Sequence, residues 1–289
     1  MTGPSTRPPL SVVVVNFNAG AHLERCLRSV IDAAGDGSVD VVVVDNASVD
    51  RSADAAEAAF PGVRMIRNDV NLGFATAANQ GIQATSAPYV FLLNPDAEVS
   101  AGTFAGLVKV ADERPRAGAI GVLVRDPDGA VYPSARRSPS VVTGVGHAFV
   151  GLFHPDNRFT RAYTMADWDR ASERKVDWVS GSAVLLRRAA LDQVRGFDEG
   201  YFMYVEDLDL CTRLRRAGWE VRFSPELEVV HVGGVSTGRS RRMFLEHGRS
   251  AYRYFEKFRS PGPMALLRPL ARAAFWLRAR LAARRLGRP

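Results

Sequence analysis

Two segments of nearly the same pattern constrain this chain more than anything else in it: Ser11-Val-Val-Val-Val-Asn16 and Asp40-Val-Val-Val-Val-Asp45. A run of valines is stiff at χ1 and suits a pleated strand better than a helix. Because the runs are continuously apolar rather than alternating, both faces of each strand must be covered, as in the parallel sheets of α/β proteins. Helical spacing from Ala21 to Ala34 separates the two runs. The theme then repeats, with a helix over Ser52–Phe60, a strand over Val63–Arg67, a helix over Ala75–Thr85 and a strong strand over Tyr89–Leu93. This alternation predicts an α/β, Rossmann-like, mainly parallel sheet flanked by helices.

Ligands of such sheets bind beyond the carboxyl ends of the strands. Those ends read Asn16-Phe17-Asn18, Asp45-Asn46-Ala47-Ser48 and Asn94-Pro95-Asp96, all polar. Three strand ends of this kind on one rim predict a site.

Beyond Gly118 the pattern loosens. Asp126-Pro-Asp-Gly129 reads as a hairpin turn, Arg136-Arg137 stands in a Ser/Pro-flanked segment, and the stretch to about Gly151 is expected to fold over the sheet. Residues 152–175 are charged and aromatic without a period, which suits a mobile loop near the site. Val176–Leu186, containing Trp178 and Gly181, is expected to be a strand, followed by a short helix to Val194 and the turn Gly196–Gly200. Leu208, Cys211, Leu214 and Arg215 place a helix over Glu206–Ala217 with Gly218 as its cap. Strands over Glu220–Phe223 and Glu228–His231 close the body.

The overall charge of +7 would suggest a nucleic-acid or anionic-surface partner, but eight arginines and no acids lie after Phe258. The rest of the chain therefore carries one net negative charge, which argues against a nucleic-acid-binding body. The expected organisation is a polar lead over 1–10, a catalytic domain over 11–257 and a basic tail over 258–289. Within the domain, a donor half covers about 11–117 and an acceptor half about 118–240. In the tail Leu266, Leu270, Leu277 and Leu281 share one helical side, apart from Trp276 and most of the arginines, so the tail suits attachment to an anionic membrane surface or a partner. Val12–Val15 is too short for a signal-peptide core or a membrane span, so the expected place is the cytoplasm, peripheral to the inner face of the membrane. The two cysteines, Cys26 and Cys211, are far apart and suit buried free thiols.

The first strand is followed by Asn-Phe-Asn-Ala-Gly-Ala-His, which is neither the Gly-x-Gly-x-x-Gly turn of dinucleotide binding nor a phosphate loop. The Gly- and Arg-rich loop of a sugar nucleotidyltransferase is also absent there. Asp45 is placed to accept hydrogen bonds from a ribose or a pyrimidine. Asn94-Pro95-Asp96 is an ordinary turn on its own. At this rim its one Asp would suffice for a hard cation whose other oxygens come from a diphosphate and water. Tyr201-Phe-Met-Tyr-Val-Glu206-Asp207-Leu-Asp209 sets three acids at a helix start after an aromatic run. Favourable charge in the first turn accounts for the acids. It does not account for the aromatics, which beside a carboxylate suit a sugar whose hydroxyl loses a proton. Asp209, one position off the direction of Asp207, reads as structural. His231, ending a strand before Gly233-Gly234, suits a satisfied histidine and a ligand equally.

Taken in order, eight pieces resemble the inverting family 2 glycosyltransferases of the GT-A fold, in the rhamnosyltransferase-like branch. They are Val-Val-Asn16-Phe-Asn18, Val-Asp45-Asn-Ala-Ser, Asn71-Leu-Gly-Phe-Ala75, Leu-Leu-Asn94-Pro-Asp96, Val-Ser-Gly181-Ser-Ala, Gly196-Phe-Asp-Glu, Glu206-Asp207-Leu-Asp-Leu and His231-Val-Gly-Gly. The resemblance implies that Asp207 is the general base, that Asp45 contacts the nucleoside, and that Asp96, with His231 as a further ligand, holds Mg2+ or Mn2+ on the donor diphosphate. Where the family carries an acidic pair at the metal motif this chain has Asn94 and Asp96, one carboxylate fewer. Asn16, Asn18, Asn46, Asn71, Gly73, Asn79 and Asn94 are expected to complete the nucleotide-sugar site. Trp178, Gly181, Tyr204, Glu206, Arg136 and Arg137 are expected to meet the acceptor. The implied reaction moves L-rhamnose from dTDP-L-rhamnose to a hydroxyl of N-acetylglucosamine carried on a polyprenyl diphosphate, in cell-wall linker assembly. The alternatives are a GT-A transferase using a UDP-sugar and a polysaccharide acceptor, and a basic nucleic-acid or membrane-binding module without enzymatic activity.

Overall fold

The structure, a computed structural model, describes residues 8–35, 39–151, 153–233 and 240–285. The polar lead before Pro8, the Gly234 end of the loop after His231 and the last four residues of the basic tail lie outside the described residues. The first half follows the predicted alternation: β1 (Leu10–Asn16), α1 (Ala21–Ala34), β2 (Val39–Asp45), α2 (Ser52–Ala59), β3 (Arg64–Arg67), α3 (Phe74–Gln83) and β4 (Tyr89–Leu93). β1 pairs in parallel with β2 and β4, valine run against valine run, and Asn16 comes level with Asp45. Val12 and Val14 point into a core shared with α1, whereas Val13 and Val15 point into a second core on the α3 side. Continuous apolarity thus fills both faces, as a two-sided sheet requires.

The second half comprises β5 (Ala97–Val99), α4 (Thr103–Glu113), β6 (Ala117–Arg125), β7 (Val131–Tyr132), β8 (Ala135–Arg136), α5 (Val141–Val150), α6 (Arg158–Thr164), β9 (Arg174–Lys175), β10 (Trp178–Val179), β11 (Ala183–Arg187), α7 (Arg188–Val194), α8 (Glu206–Arg216), β12 (Glu220–His231), α9 (Arg241–Phe258) and, after a 3-10 turn over Gly262–Leu267, α10 (Arg268–Arg285). The main sheet runs β3-β2-β1-β4-β11-β6-β12-β5. β11 is antiparallel to both β4 and β6, while β12 returns parallel to β6.

Several expectations need correction. Residues from Gly118 do not fold over the sheet: Ala117–Val124 is a buried strand within it. Its Ala and Gly residues dilute the strand preference of Ile120, Val122 and Val124, and they answer to packing, since a Cβ on Gly121 would lie 2.6 Å from Val179. Beyond it, β7 pairs with β6 within the sheet, β8 pairs with β10 in a separate two-stranded sheet, and α5 packs on α6. Residues 152–175 contain α6 and β9 rather than loop alone. Val176–Leu186 breaks at Gly181 into β10 and β11, because β10 leaves the main sheet to pair with β8. The two closing strands are one, β12, with a register shift between Ser224 and Glu228. The expected boundary at 258 falls at the end of α9, and α10 packs back on α9 with Ala279 and Ala282 buried and Phe275 against Phe255. The leucine side of α10 is not its packing side: Leu270 and Leu277 are exposed. No helix among the described residues is long and apolar enough to cross a membrane.

Candidate active site

The level ends of β1 and β2 build one side of the rim. Asn16 Nδ2 donates to Asp45 Oδ1 at 2.7 Å and lies within bonding distance of the Ser48 and Ser52 hydroxyls. The Asn18 N–H donates to Ser48 Oγ, and Asn18 Oδ1 accepts from Val49 N–H. Asn46 is buried and staples the next loop, its amide donating to Asn71 Oδ1 and Gly73 O while its oxygen accepts from Leu72 N–H. Gly73 sits at φ +84°, and a Cβ there would lie 2.5 Å from Phe202 O. That carbonyl accepts the Phe74 N–H at the start of α3, so the position requires glycine. Asn79 is spent on fastening: its amide donates to Phe197 O and Glu199, and its oxygen accepts from Phe197 N–H.

At the end of β4, Asn94, Asp96 and His231 converge. His231 Nε2 lies 3.1 Å from Asp96 Oδ1 and 3.1 Å from Asn94 Nδ2. Antiparallel pairing of β12 with β5 puts His231 opposite Ala97 and so beside Asp96. Among the described residues no group of three or more His, Cys, Asp or Glu side chains stands close enough to hold a metal alone. The donor set is one buried carboxylate and one imidazole, which fits a divalent cation only if a ligand such as a diphosphate brings the remaining oxygens.

Asp207 occupies the first turn of α8. Its Oδ2 accepts from Gly181 N–H at 3.1 Å and its Oδ1 from Leu208 N–H at 2.7 Å. Burial pushes its carboxyl upward against the opposing pull of these N–H groups and of Arg136. The neighbouring Glu206 is buried, its Oε2 has no hydrogen-bond partner among the described residues, and burial and then the charge of Asp207 push its carboxyl well up. The surroundings of the two differ: two N–H donors favour the ionised form of Asp207, whereas Glu206 Oε2 has no donor among the described residues, so the charge of the pair is better supported on Asp207. Tyr204 and Val205, just before the helix, have φ of 68° and 69°, a strained approach for non-glycine residues of the kind found at active sites. Asp209, by contrast, is fully buried and bonded to Lys257, Arg213 and Tyr201.

Asp207 and Glu206 face a cavity of about 370 Å³ together with Asn94, His231, Trp178, Gly181 and Tyr204. Arg136 also lines it, with its guanidinium over the rings of Tyr132, Tyr163 and Trp178 at 5.4, 5.6 and 5.0 Å. Burial opposes the Arg136 charge, but Tyr132, Tyr163 and Asp207 outweigh it and hold the guanidinium charged. Arg137 is parted from Arg136: its side chain is exposed, and its carbonyl accepts from Trp178 Nε1. The rim residues Asn16, Asn18, Asp45, Asn46 and Asn71 do not line this cavity, nor does Asn79.

Sequence reasoning missed Tyr132, Tyr163 and His247 as walls of the cavity. Tyr163 lay in a stretch without a period. His247 lies on α9, which Ser240 signals as an N-cap ahead of apolar positions at 248, 251, 255 and 258.

Residues 11–194 match the family described as "Glycosyl transferase family 2". The N-acetylglucosaminyl-diphospho-decaprenol L-rhamnosyltransferase of Mycobacterium tuberculosis (strain ATCC 25618 / H37Rv) is 42% identical over 287 residues, 95% of this chain and 93% of that protein. The rhamnosyltransferase WbbL of Escherichia coli (strain K12) is 29% identical over 59% of this chain and 62% of its own length. Among solved structures, the mannosyltransferase PcManGT from Pyrobaculum calidifontis, in complex with GDP-Man and Mn2+, superposes with a TM-score of 0.60 at 18% identity, over 99% of this chain and 78% of that one. GalNAc-T7 with UDP, GalNAc and Mn2+ gives 0.61 at 16% identity, over 94% of this chain and 55% of that one. These two likenesses bear on the fold.

Proposed function

This chain belongs to glycosyl transferase family 2, with the GT-A fold, and from that premise we propose that it transfers L-rhamnose from dTDP-L-rhamnose, with inversion, to a hydroxyl of N-acetylglucosamine on a polyprenyl diphosphate. The observation that carries the chemistry is the placing of a buried, N–H-clamped Asp207 carboxylate in one cavity with Asn94 and His231 at the strand ends. The activity for which the 42% identical relative is named supports the choice of sugar and acceptor.

In this reading Asp207 takes the proton of the acceptor hydroxyl as that oxygen bonds to the anomeric carbon, and the bond from that carbon to the diphosphate oxygen breaks. The Gly181 and Leu208 N–H groups fix the carboxylate, and Glu206, neutral beside it, adds no competing charge. Trp178 and Tyr204 offer ring faces to the acceptor sugar. Asp45, Asn16, Asn18, Asn46, Asn71 and Gly73 shape the loops that receive the nucleotide, and Asn79 positions α3 behind them. Asp96 and His231 would hold Mg2+ or Mn2+, which supplies charge neutralisation to the departing diphosphate. The enzyme acts peripherally at the membrane that carries its acceptor, with α10 on that side.

The test is nucleotide release from a panel of dTDP- and UDP-sugars in the presence of a GlcNAc-diphospho-prenol. Turnover confined to dTDP-L-rhamnose is expected. Turnover of a UDP-sugar instead would discard the donor assignment and keep the mechanism.

A further inference from the structure

A second cavity, of about 430 Å³, lies between α5, α9 and α10. Its walls are apolar, among them Val145, Tyr254, Phe255, Leu270 and Phe275, and its size is that of a ligand pocket. It adjoins the catalytic cavity, with Arg136, Tyr163, Val205, Leu208 and His247 lining both. No carboxylate lines it, whereas three guanidiniums do: Arg136, Arg259 and Arg278.

These arginines are partly withdrawn from solvent. Arg278 donates to Ala148 O, and the Arg259 Nε is buried with no hydrogen-bond partner among the described residues. His147 and His247 beside them are held neutral, since burial and then Arg278 lower them to about 4 and about 3. The positive charge at the junction is therefore all guanidinium.

The far end opens on an apolar rim. Val145 and Leu270 line the cavity and are still 52% and 70% exposed, and Leu266, in the 3-10 turn that precedes α10, is 85% exposed. Contiguous exposed apolar residues of this kind mark contact with lipid or a partner.

We propose that this cavity seats the first part of the hydrocarbon chain of a prenyl diphosphate, with the diphosphate at Arg136 and Arg278. This rests on the reading of the acceptor given above. The order of chemistry along such a ligand, sugar, diphosphate, chain, is the order of the walls, Asp207, Arg136, apolar cavity. Ion pairing at the junction gives register to a chain that by itself slides. The rim lets the remaining chain stay in the bilayer. α10 is then a wall of the acceptor site rather than a tether.

The probe is geranylgeranyl diphosphate, titrated calorimetrically against the full chain, with inorganic diphosphate as the control. The prenyl compound should bind at least about tenfold more tightly than inorganic diphosphate, since a few buried methylenes supply that factor. Ala274→Trp, which fills the cavity, and Leu270→Glu, a change at an exposed position, should each weaken the prenyl compound about tenfold and leave dTDP-sugar binding unchanged. Equal binding of the two diphosphates to the wild type, or undiminished prenyl binding in both variants, overturns the proposal. Binding to anionic vesicles that Leu270→Glu abolishes, without affinity for the prenyl diphosphate, also overturns it and leaves the rim as a membrane contact. The expected binding pattern without sugar transfer to GlcNAc-diphospho-prenol would support the cavity and strike only at the acceptor assignment.

Discussion

The Gly181 backbone N–H donates to Asp207 Oδ2 across 3.1 Å, tying the break between β10 and β11 to the first turn of α8. The strand leaves the sheet at the position where its amide is needed by a carboxylate. Replacing Asp207 by Asn keeps the shape and removes the base. Turnover should fall about 10²–10⁴-fold with donor affinity unchanged. A near-normal kcat in steady-state assays would remove Asp207 from the base role.

The pH profile follows from the burial of Asp207. Its folded-state carboxyl is raised, and it acts only when ionised, so activity is present above that raised value and lost as pH falls through it. The acid limb of kcat/KM should therefore lie above the ordinary Asp value of about 3.9. An acid limb at the ordinary value would show that the carboxylate titrates as if solvated.

The burial of Glu206 bears on stability. Its carboxyl is raised by burial and then by Asp207, so the folded state holds the proton more tightly than the unfolded chain. Stability from this group is present at low pH and declines as pH rises from the ordinary carboxylate range to mildly alkaline values. The slope is at most about 1.4 kcal/mol per pH unit. Glu206→Gln should flatten that decline in thermal melts collected across the range; parallel curves for the two proteins would refute it.

Asp96 and His231 meet at 3.1 Å. If they hold the cation, Asp96→Asn should raise the Mn2+ concentration needed for binding in the presence of dTDP by about 10–100-fold, as read by electron paramagnetic resonance. His231→Ala should act in the same direction. Unchanged Mn2+ titrations in both would place the metal elsewhere.

Lys257 Nζ lies 2.7 Å from Asp209 Oδ2 and 2.7 Å from Asp198 Oδ2. Lys257→Met leaves a fully buried Asp209 with Arg213 and Tyr201 alone. A loss of about 1.5–3 kcal/mol is expected from urea unfolding, the range for a hydrogen bond to a charged group. No loss would mean that Arg213 by itself neutralises the carboxylate.

Much of this was legible in the chain. The valine runs, their periodic helices and the polar residues closing Asn16, Asp45 and Asn94-Pro95-Asp96 determine a two-sided sheet with a polar rim, because continuous apolarity and strand-end chemistry are local properties. The helical spacing of Leu208, Cys211, Leu214 and Arg215 likewise placed Asp207 at a helix start. Other features were decided only by tertiary packing. In the strand Ala117–Arg125 the small residues dilute the strand signal of Ile120, Val122 and Val124, and the need for them comes from Val179 and Trp219, which close on Gly121 and Gly118. The choice of Arg136 over Arg137 as the guanidinium in the cavity depends on β8 pairing with β10, a contact between residues some forty positions apart. The same holds for the second half of the site. Tyr163, His247 and the apolar cavity of α5, α9 and α10 come from segments distant in sequence, and a pocket between helices is set by which faces they turn to one another, which no periodicity within a single helix determines.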